Sequence, residues 1–390
     1  MNKELNGYVR SIQISGIRRF SEKVKNYPDA ISLTIGQPDF PTPEHVKAAG
    51  KAAIDQNLTA YTSTPGTIEV RQAIADYAAE KYDLHYDPET EILTTIGASE
   101  ALDLSFRALL EKGDEVILPG PAYPGYPGPI HLAGGVPVYC DTRETHFKLT
   151  ATQIKEKLSA QTKAIVIPSP ANPTGAVMNE EELREIAELL KDKAIYIVSD
   201  EIYSELTYGV KHVSIASFPG MREKTIVING LSKSHSMTGW RFGYTLASEA
   251  ITQELVKIHQ YSTACISSIS QYAAIEALTV GKNDAEPMRL EYKRRLDYVM
   301  QRLLDMGIEV IRPDGAFYVF LSIEQFGISS EAFALDLLEK GGVAIVPGTA
   351  FSEYGEGYLR LTYAYSMDKL RVALDRMERY VASLTPVKQG

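Results

Sequence analysis

The chain has 390 residues, 44% hydrophobic and 23% charged, with a formal net charge of -10. That length allows about two domains around sizeable cores, and the composition is that of an ordinary globular protein. No cluster of Lys and Arg is present to neutralise a phosphate backbone, which excludes nucleic acid as a partner. No apolar run approaches the ~18 residues of a membrane span, and the N-terminus has no apolar core of signal-peptide length, so a cytoplasmic protein is expected. Cys140 and Cys265 have neither metal nor Cys-x-x-Cys spacing and the seven His form no ligand pattern, so no metal site is expected.

In chain order, residues 1–30 carry weak helical periodicity, with Ile14 to Phe20 as a short arm. Ile31 to Ile35 is an apolar run ending in Gly36-Gln37-Pro38. A glycine there lets a ligand approach the backbone, although a plain strand exit explains it equally. A helix is expected over 43–56, a loop over 60–66 that includes Tyr61, and a helix over 67–81 with Val70, Ile74 and Tyr77 on one face. The strand 91–96 runs into Gly97-Ala98-Ser99-Glu100, where a helix starts with Leu102, Phe106 and Leu109 facing inward. Such a turn offers free N–H groups to an anion; capping by Ser99 is the structural alternative.

The same pattern then recurs. Strand 115–118 empties into a loop with Tyr123 and Tyr126, strand 163–167 into Asn172-Pro173-Thr174-Gly175, and strand 194–198 into Asp200-Glu201-Ile202-Tyr203. Asn179 with Glu182 marks a helix start. Thr225 to Ile228 leads to Ser232-Lys233, with Arg241 eight positions later. Apolar strands alternating with amphipathic helices imply crossover units and a mostly parallel sheet, whose ligands gather at the carboxyl ends of the strands. Residues 283–306 read as a long helix, with Arg289, Lys293, Arg294, Arg295 and Arg302 on a solvated face, connecting to a second region with strands near 315–320, 343–347 and 357–363 and a helix near 330–340. The expected division is 1–44 as an arm and part of a small domain, 45–285 as a large domain, and 286–390 as the small domain.

A lysine held among Ser and Gly past a buried strand is the kind that loses its charge and forms a Schiff base. With a fork-shaped arginine for a phosphate, it points to pyridoxal phosphate. On this reading Lys233 holds the cofactor and moves a proton, Asp200 pairs with the pyridine nitrogen, Tyr203 and Asn172 reach the ring hydroxyl, and Tyr123 stacks on the ring. Ser99 and Arg241 take the phosphate and Arg360 grips a carboxylate.

These motifs, with Tyr358-Leu-Arg360-Leu, resemble the fold-type I pyridoxal-phosphate enzymes, specifically the class I/II aminotransferases, over essentially the whole chain. The resemblance implies an α/β fold whose large domain has a mostly parallel seven-stranded sheet sandwiched by helices, beside a smaller α+β domain. It implies catalysis by Lys233, Asp200 and Tyr203, and cofactor contacts from Ala98, Ser99, Tyr123, Asn172, Ser232 and Arg241. Gly36, Asn172 and Arg360 would face the substrate. Tyr61 would reach the neighbouring subunit's phosphate, so a homodimer with shared sites is implied. Two departures are Phe242, where the family more often has a smaller aliphatic residue, and Gly230, where some relatives carry a phosphate-binding serine that Ser232 would have to replace. Ser99 also stands where some aspartate aminotransferases place a lysine that reads the distal carboxylate. A narrower resemblance, through Ile14-Ser-Gly-Ile-Arg, Leu33 to Phe40 and Asn229 to Arg241, is to the N-acetyl-LL-diaminopimelate aminotransferases of bacillar lysine biosynthesis. A carbon–sulfur β-lyase of the same fold, or a non-catalytic regulatory sensor, are the alternatives.

Overall fold

The computed structural model describes residues 4–384. Its largest element is a seven-stranded sheet built from β2 (Ile92–Ile96), β3 (Glu115–Gly120), β4 (Val136–Asp141), β5 (Thr162–Pro168), β6 (Tyr196–Asp200), β7 (Thr225–Gly230) and β8 (Phe242–Leu246), in the order β2-β8-β7-β6-β5-β3-β4. All neighbours pair in parallel except β8, which is antiparallel to both β2 and β7.

Both faces of this sheet are covered, as a parallel sheet requires, and the strand alternation assigns residues to each. Val116, Leu118, Val166, Val198 and Ile228 pack with Leu102, Phe106 and Leu255 of helices Gly97–Leu109 and Glu249–Ser262. Their sequence neighbours Ile117, Ile165, Ile167 and Ile197 point the other way, against Leu183, Ile186 and Leu190 of helix Glu180–Leu190. The capping box expected at Asn179 and Glu182 is formed.

The remaining strands form smaller units. Of these, β9 (Tyr318–Ser322), β11 (Val346–Pro347) and β12 (Tyr358–Thr362) make an antiparallel sheet in the order β11-β12-β9. It shares a core with helices Ala285–Asp305 and Met367–Ala382. There β1 (Ile31–Ser32) runs parallel to β10 (Val343–Ala344), tying the N-terminal segment to the C-terminal region. Among the described residues no helix is long and apolar enough to cross a membrane.

Strands β4 and β8 lie outside the sequence expectations. β4 is an edge strand with Pro137 inside it, tolerable only where one side needs no partner. β8 contains Gly243, a poor strand former in isolation; a Cβ there would fall 2.5 Å from the carbonyl carbon of Gly97. The expected solvated face of the long helix needs one correction. Arg295 is 5% exposed, because its guanidinium lies over Phe40 and Tyr292 and reaches Asp39 at 2.7 Å and Glu291 at 2.9 Å.

Candidate active site

The carboxyl edge of the sheet faces β12 across a cavity of about 480 Å³. Topology explains what lines it. Asp200 ends β6, and Tyr123, Asn172 and Lys233 lie just past the ends of β3, β5 and β7. Because β8 is reversed, it begins where its neighbours end. Its register pairs Phe242 with Ile96 and so sets Arg241 beside the start of helix Gly97–Leu109.

Asp200 is buried, and its Oδ2 accepts a 2.7 Å bond from the Tyr126 hydroxyl. Its other oxygen has only a 3.4 Å contact from the Ile202 N–H. Burial raises the pKa of this carboxyl despite the Tyr126 bond. A buried carboxylate with one oxygen so thinly satisfied is a built receptor for a cationic N–H group.

Lys233 donates from Nζ to the carbonyl oxygen of Gly36 at 2.8 Å and lies 5.7 Å from the Tyr203 ring centroid. Burial, then the positive charges of Arg360 and Arg241, pull its amine down to about 8, with Asp200 opposing. The amine is therefore partly neutral at physiological pH and able to attack a carbonyl carbon. Gly36 is sterically required. A Cβ there would lie 1.9 Å from the Tyr318 hydroxyl.

Arg241, in the left-handed region with φ of 54°, donates to the Thr238 and Ile96 carbonyls at 3.1 and 3.4 Å. It borders the first helical turn of Gly97, Ala98 and Ser99, whose N–H groups have no backbone partner among the described residues. Positive charge and open donors together form an anion site. Ser99 is not the cap. Ile96 occupies that position, and its N–H bonds to Glu100, one turn into the helix, leaving Ser99 on the cavity wall. Ser232 also lines the cavity. A serine could not stand at Gly230, where a Cβ would fall 2.7 Å from the Phe242 carbonyl oxygen. Phe242 itself is fully buried in the core.

Arg360 is 1% exposed. It bonds Asn172 Oδ1 at 3.0 Å and the Thr34 carbonyl, lies over the Tyr318 ring at 4.4 Å, and leaves its Nε without a partner among the described residues. Among the described residues no acidic side chain neutralises it, so a carboxylate ligand would satisfy charge and orphaned donor together.

Of the expected residues, only Tyr61 is absent from this cavity; it is 89% exposed elsewhere. Tyr203 bonds the Tyr318 hydroxyl at 2.7 Å, and Asn172 is held by Arg360. Two residues escaped sequence reasoning. Tyr126 is 74 positions from Asp200, and Tyr318 is 115 from Tyr203. Neither has a local signal, since each acts through a partner brought close only by folding.

The profile of the family described as aminotransferase class I and II matches residues 28–377. A Bacillus subtilis protein named as a probable N-acetyl-LL-diaminopimelate aminotransferase is 56% identical over 381 residues, covering 98% of this chain and 96% of that protein. Among solved structures, an aromatic aminotransferase from Pyrococcus horikoshii superposes with a TM-score of 0.89 at 40% identity, over 93% of this chain and 98% of that one. Aspartate aminotransferase from Thermus thermophilus with maleate gives 0.92 at 36% identity, over 97% and 100%.

Proposed function

The chain belongs to the class I and II aminotransferases and uses pyridoxal phosphate as they do, and from that premise we propose the substrates and the residue roles. The amino donor is L-glutamate. The acceptor is the keto acid of N-acetyl-LL-diaminopimelate, in lysine biosynthesis, in the cytoplasm; the name of the Bacillus subtilis relative supports this choice. Cell fractionation that placed the protein outside the cytoplasm would count against the location.

The observation that carries the site assignment is the half-satisfied Asp200 carboxylate facing Lys233 across one cavity. When bound, pyridoxal phosphate supplies an aldehyde carbon that takes up the amino group and a ring that draws electrons from the substrate's α carbon. Lys233 would hold it and would carry a proton to and from the substrate's α carbon. Asp200 would keep the ring nitrogen protonated, with Tyr126 holding Asp200 in place. Tyr203 and Asn172 would face the ring hydroxyl and Tyr123 its flat side. Arg241, Ser232 and the Ala98-Ser99 turn would take the phosphate. Arg360 and Asn172 receive the substrate's α-carboxylate, with Gly36 leaving room beside it.

Adding L-glutamate to the holoenzyme should convert the cofactor spectrum to the pyridoxamine form, and 2-oxoglutarate should reverse it. Pyruvate release from cystathionine without any keto acid would instead identify a lyase.

Arg360→Lys keeps the charge but loses the two-pronged geometry. Losing one charge-assisted bond, about 1.5–3 kcal/mol, should weaken both half-reactions roughly ten- to a hundredfold without loss of cofactor. Titration with L-glutamate and with 2-oxoglutarate checks this. Unchanged affinity for both would remove Arg360 from the site.

We further propose that two chains pair, each lending Tyr61 to the other's phosphate site. An 89% exposed tyrosine that takes no part in the active-site cavity of its own chain supports this. Sedimentation should give twice the chain mass, and Tyr61→Phe should weaken cofactor binding about tenfold, the worth of one hydrogen bond to a charged group. A monomer of full activity would contradict it.

A further inference from the structure

The loop from Lys233 to Arg241 carries both the amine and the guanidinium of the proposed cofactor site, and two other segments support it. Near one end, buried His235 meets the carbonyl oxygen of Gly281 through Nε2 at 3.0 Å and the Ser234 hydroxyl through Nδ1 at 2.8 Å. A carbonyl oxygen only accepts, so Nε2 carries the proton and Nδ1 accepts from Ser234, the residue next to Lys233. Burial lowers the pKa of His235 and so favours this neutral ring. Towards the other end, the Thr42 hydroxyl donates to the Ser236 carbonyl at 2.8 Å and accepts from Trp240 Nε1 at 3.1 Å. The Trp240 ring also lies against Gly50, where a Cβ would fall 2.8 Å from it.

Gly281 belongs to the turn between helices Ser268–Leu278 and Ala285–Asp305, whereas Thr42 leads into helix Glu44–Asp55, which contains Gly50. One side chain joins these two supports. His45 meets Glu276 through Nδ1 at 2.9 Å and Asp284 through Nε2 at 2.7 Å. Ionised carboxylates only accept, so both ring nitrogens must carry protons for both bonds to exist, and the ring is an imidazolium. A neutral ring would turn a bare lone pair on one of the two carboxylates. Burial opposes the charge, but the hydrogen bonds with Asp284 and Glu276 outweigh it and raise the pKa of His45 above its ordinary 6.5. Other charges on these elements are paired elsewhere: Glu44 with Lys47 at 2.5 Å and Lys51 at 3.9 Å, Lys282 with Glu80 at 2.7 Å, and Glu286 with Arg289 at 2.7 Å.

We propose that His45 is a positioning residue for the cofactor: as an imidazolium it ties the two supports together and so holds the loop between Lys233 and Arg241 in the shape that grips the cofactor. This rests on the roles proposed above for those two residues. His45 does not line the cavity, and acts through Gly281 and Thr42. Because its pKa is raised in the folded protein, the clamp is complete below the ordinary imidazole range and is lost as pH rises through the raised value. The ring is 36% exposed, so water screens the pair. A roughly fivefold effect, the low end of coupling between two sites, is the scale to expect.

The test converts holoenzyme to its pyridoxamine form with L-glutamate, which frees the cofactor from Lys233, and times its release by dialysis from about pH 6 to about pH 9. Comparing variant with wild type at each pH cancels the titrations of Lys233 and of the phosphate. His45→Gln should release cofactor roughly fivefold faster than the wild type at the acid end and equally fast at the alkaline end. Glu276→Gln keeps a hydrogen-bond acceptor but removes a charge, so it should move the wild-type release profile to lower pH, and it decides the matter should the glutamine variant of His45 fail to fold. A histidine that only supported the fold would lower the melting temperature and leave the ratio of release rates flat with pH. A flat ratio for His45→Gln, or an unmoved profile for Glu276→Gln, would overturn the proposal. Wild-type enzyme whose cofactor L-glutamate does not convert would instead refute the aminotransferase reading beneath it, and the proposal with it.

Discussion

Lys233→Ala is expected to lose the visible absorbance of the bound cofactor and at least roughly a hundred- to ten-thousandfold in transamination, the range that one positioned acid–base group contributes. Two functions disappear together, because the same Nζ anchors the cofactor and moves the proton. Among the described residues no other lysine lines the cavity to replace it. Folding should survive: the amine's one hydrogen bond goes to the Gly36 carbonyl, and removing a cation that burial and two arginines disfavour relieves the apoprotein. A companion measurement uses the wild type. Its amine is pulled to about 8, so it is mostly protonated and unreactive below that pH and neutral above it. Uptake of pyridoxal phosphate by apoprotein should therefore accelerate as pH rises toward about 8 and level off beyond. Near-wild-type turnover in the alanine variant would sink the mechanism. A flat uptake profile across that window would show that the amine is not depressed.

Asp200→Asn is expected to keep the cofactor and lose roughly a hundred- to a thousandfold in turnover, the scale of removing one preorganised electrostatic contact. The amide oxygen can still accept the Tyr126 bond, so the geometry persists. What is lost is the negative charge that keeps the ring nitrogen protonated. The sign of the stability change separates this role from a structural one. Burial raises the Asp200 carboxyl pKa, so its ionised form opposes folding of the apoprotein above the ordinary carboxylate range. Neutral asparagine should leave the apoprotein melting no lower than the wild type. A variant that melted lower and kept its specific activity would make Asp200 a structural cap.

The sequence by itself determined the parts that depend on local order. Apolar strands with turn residues after them placed Tyr123, Asn172, Asp200 and Lys233 on one sheet edge, because a parallel crossover sheet puts every such exit on the same side. Asn179 and Glu182 announced a helix start for the same reason, since a capping box is complete within four residues. Tertiary structure decided whatever joins distant segments. The reversed strand β8 was hidden by Gly243, whose missing Cβ matters only because Gly97 lies against it, yet that reversal brings Arg241 to the start of the helix. Arg295 looked like one more charge on a solvated face until Asp39, 256 positions away, claimed it. Tyr126 and Tyr318 acquired roles only by meeting Asp200 and Tyr203. Periodicity reports which face a side chain takes on its own element, whereas a hydrogen bond across the chain is fixed by packing, which no local pattern encodes. Which arginine is already paired and which stands open to a ligand is therefore settled by the fold alone.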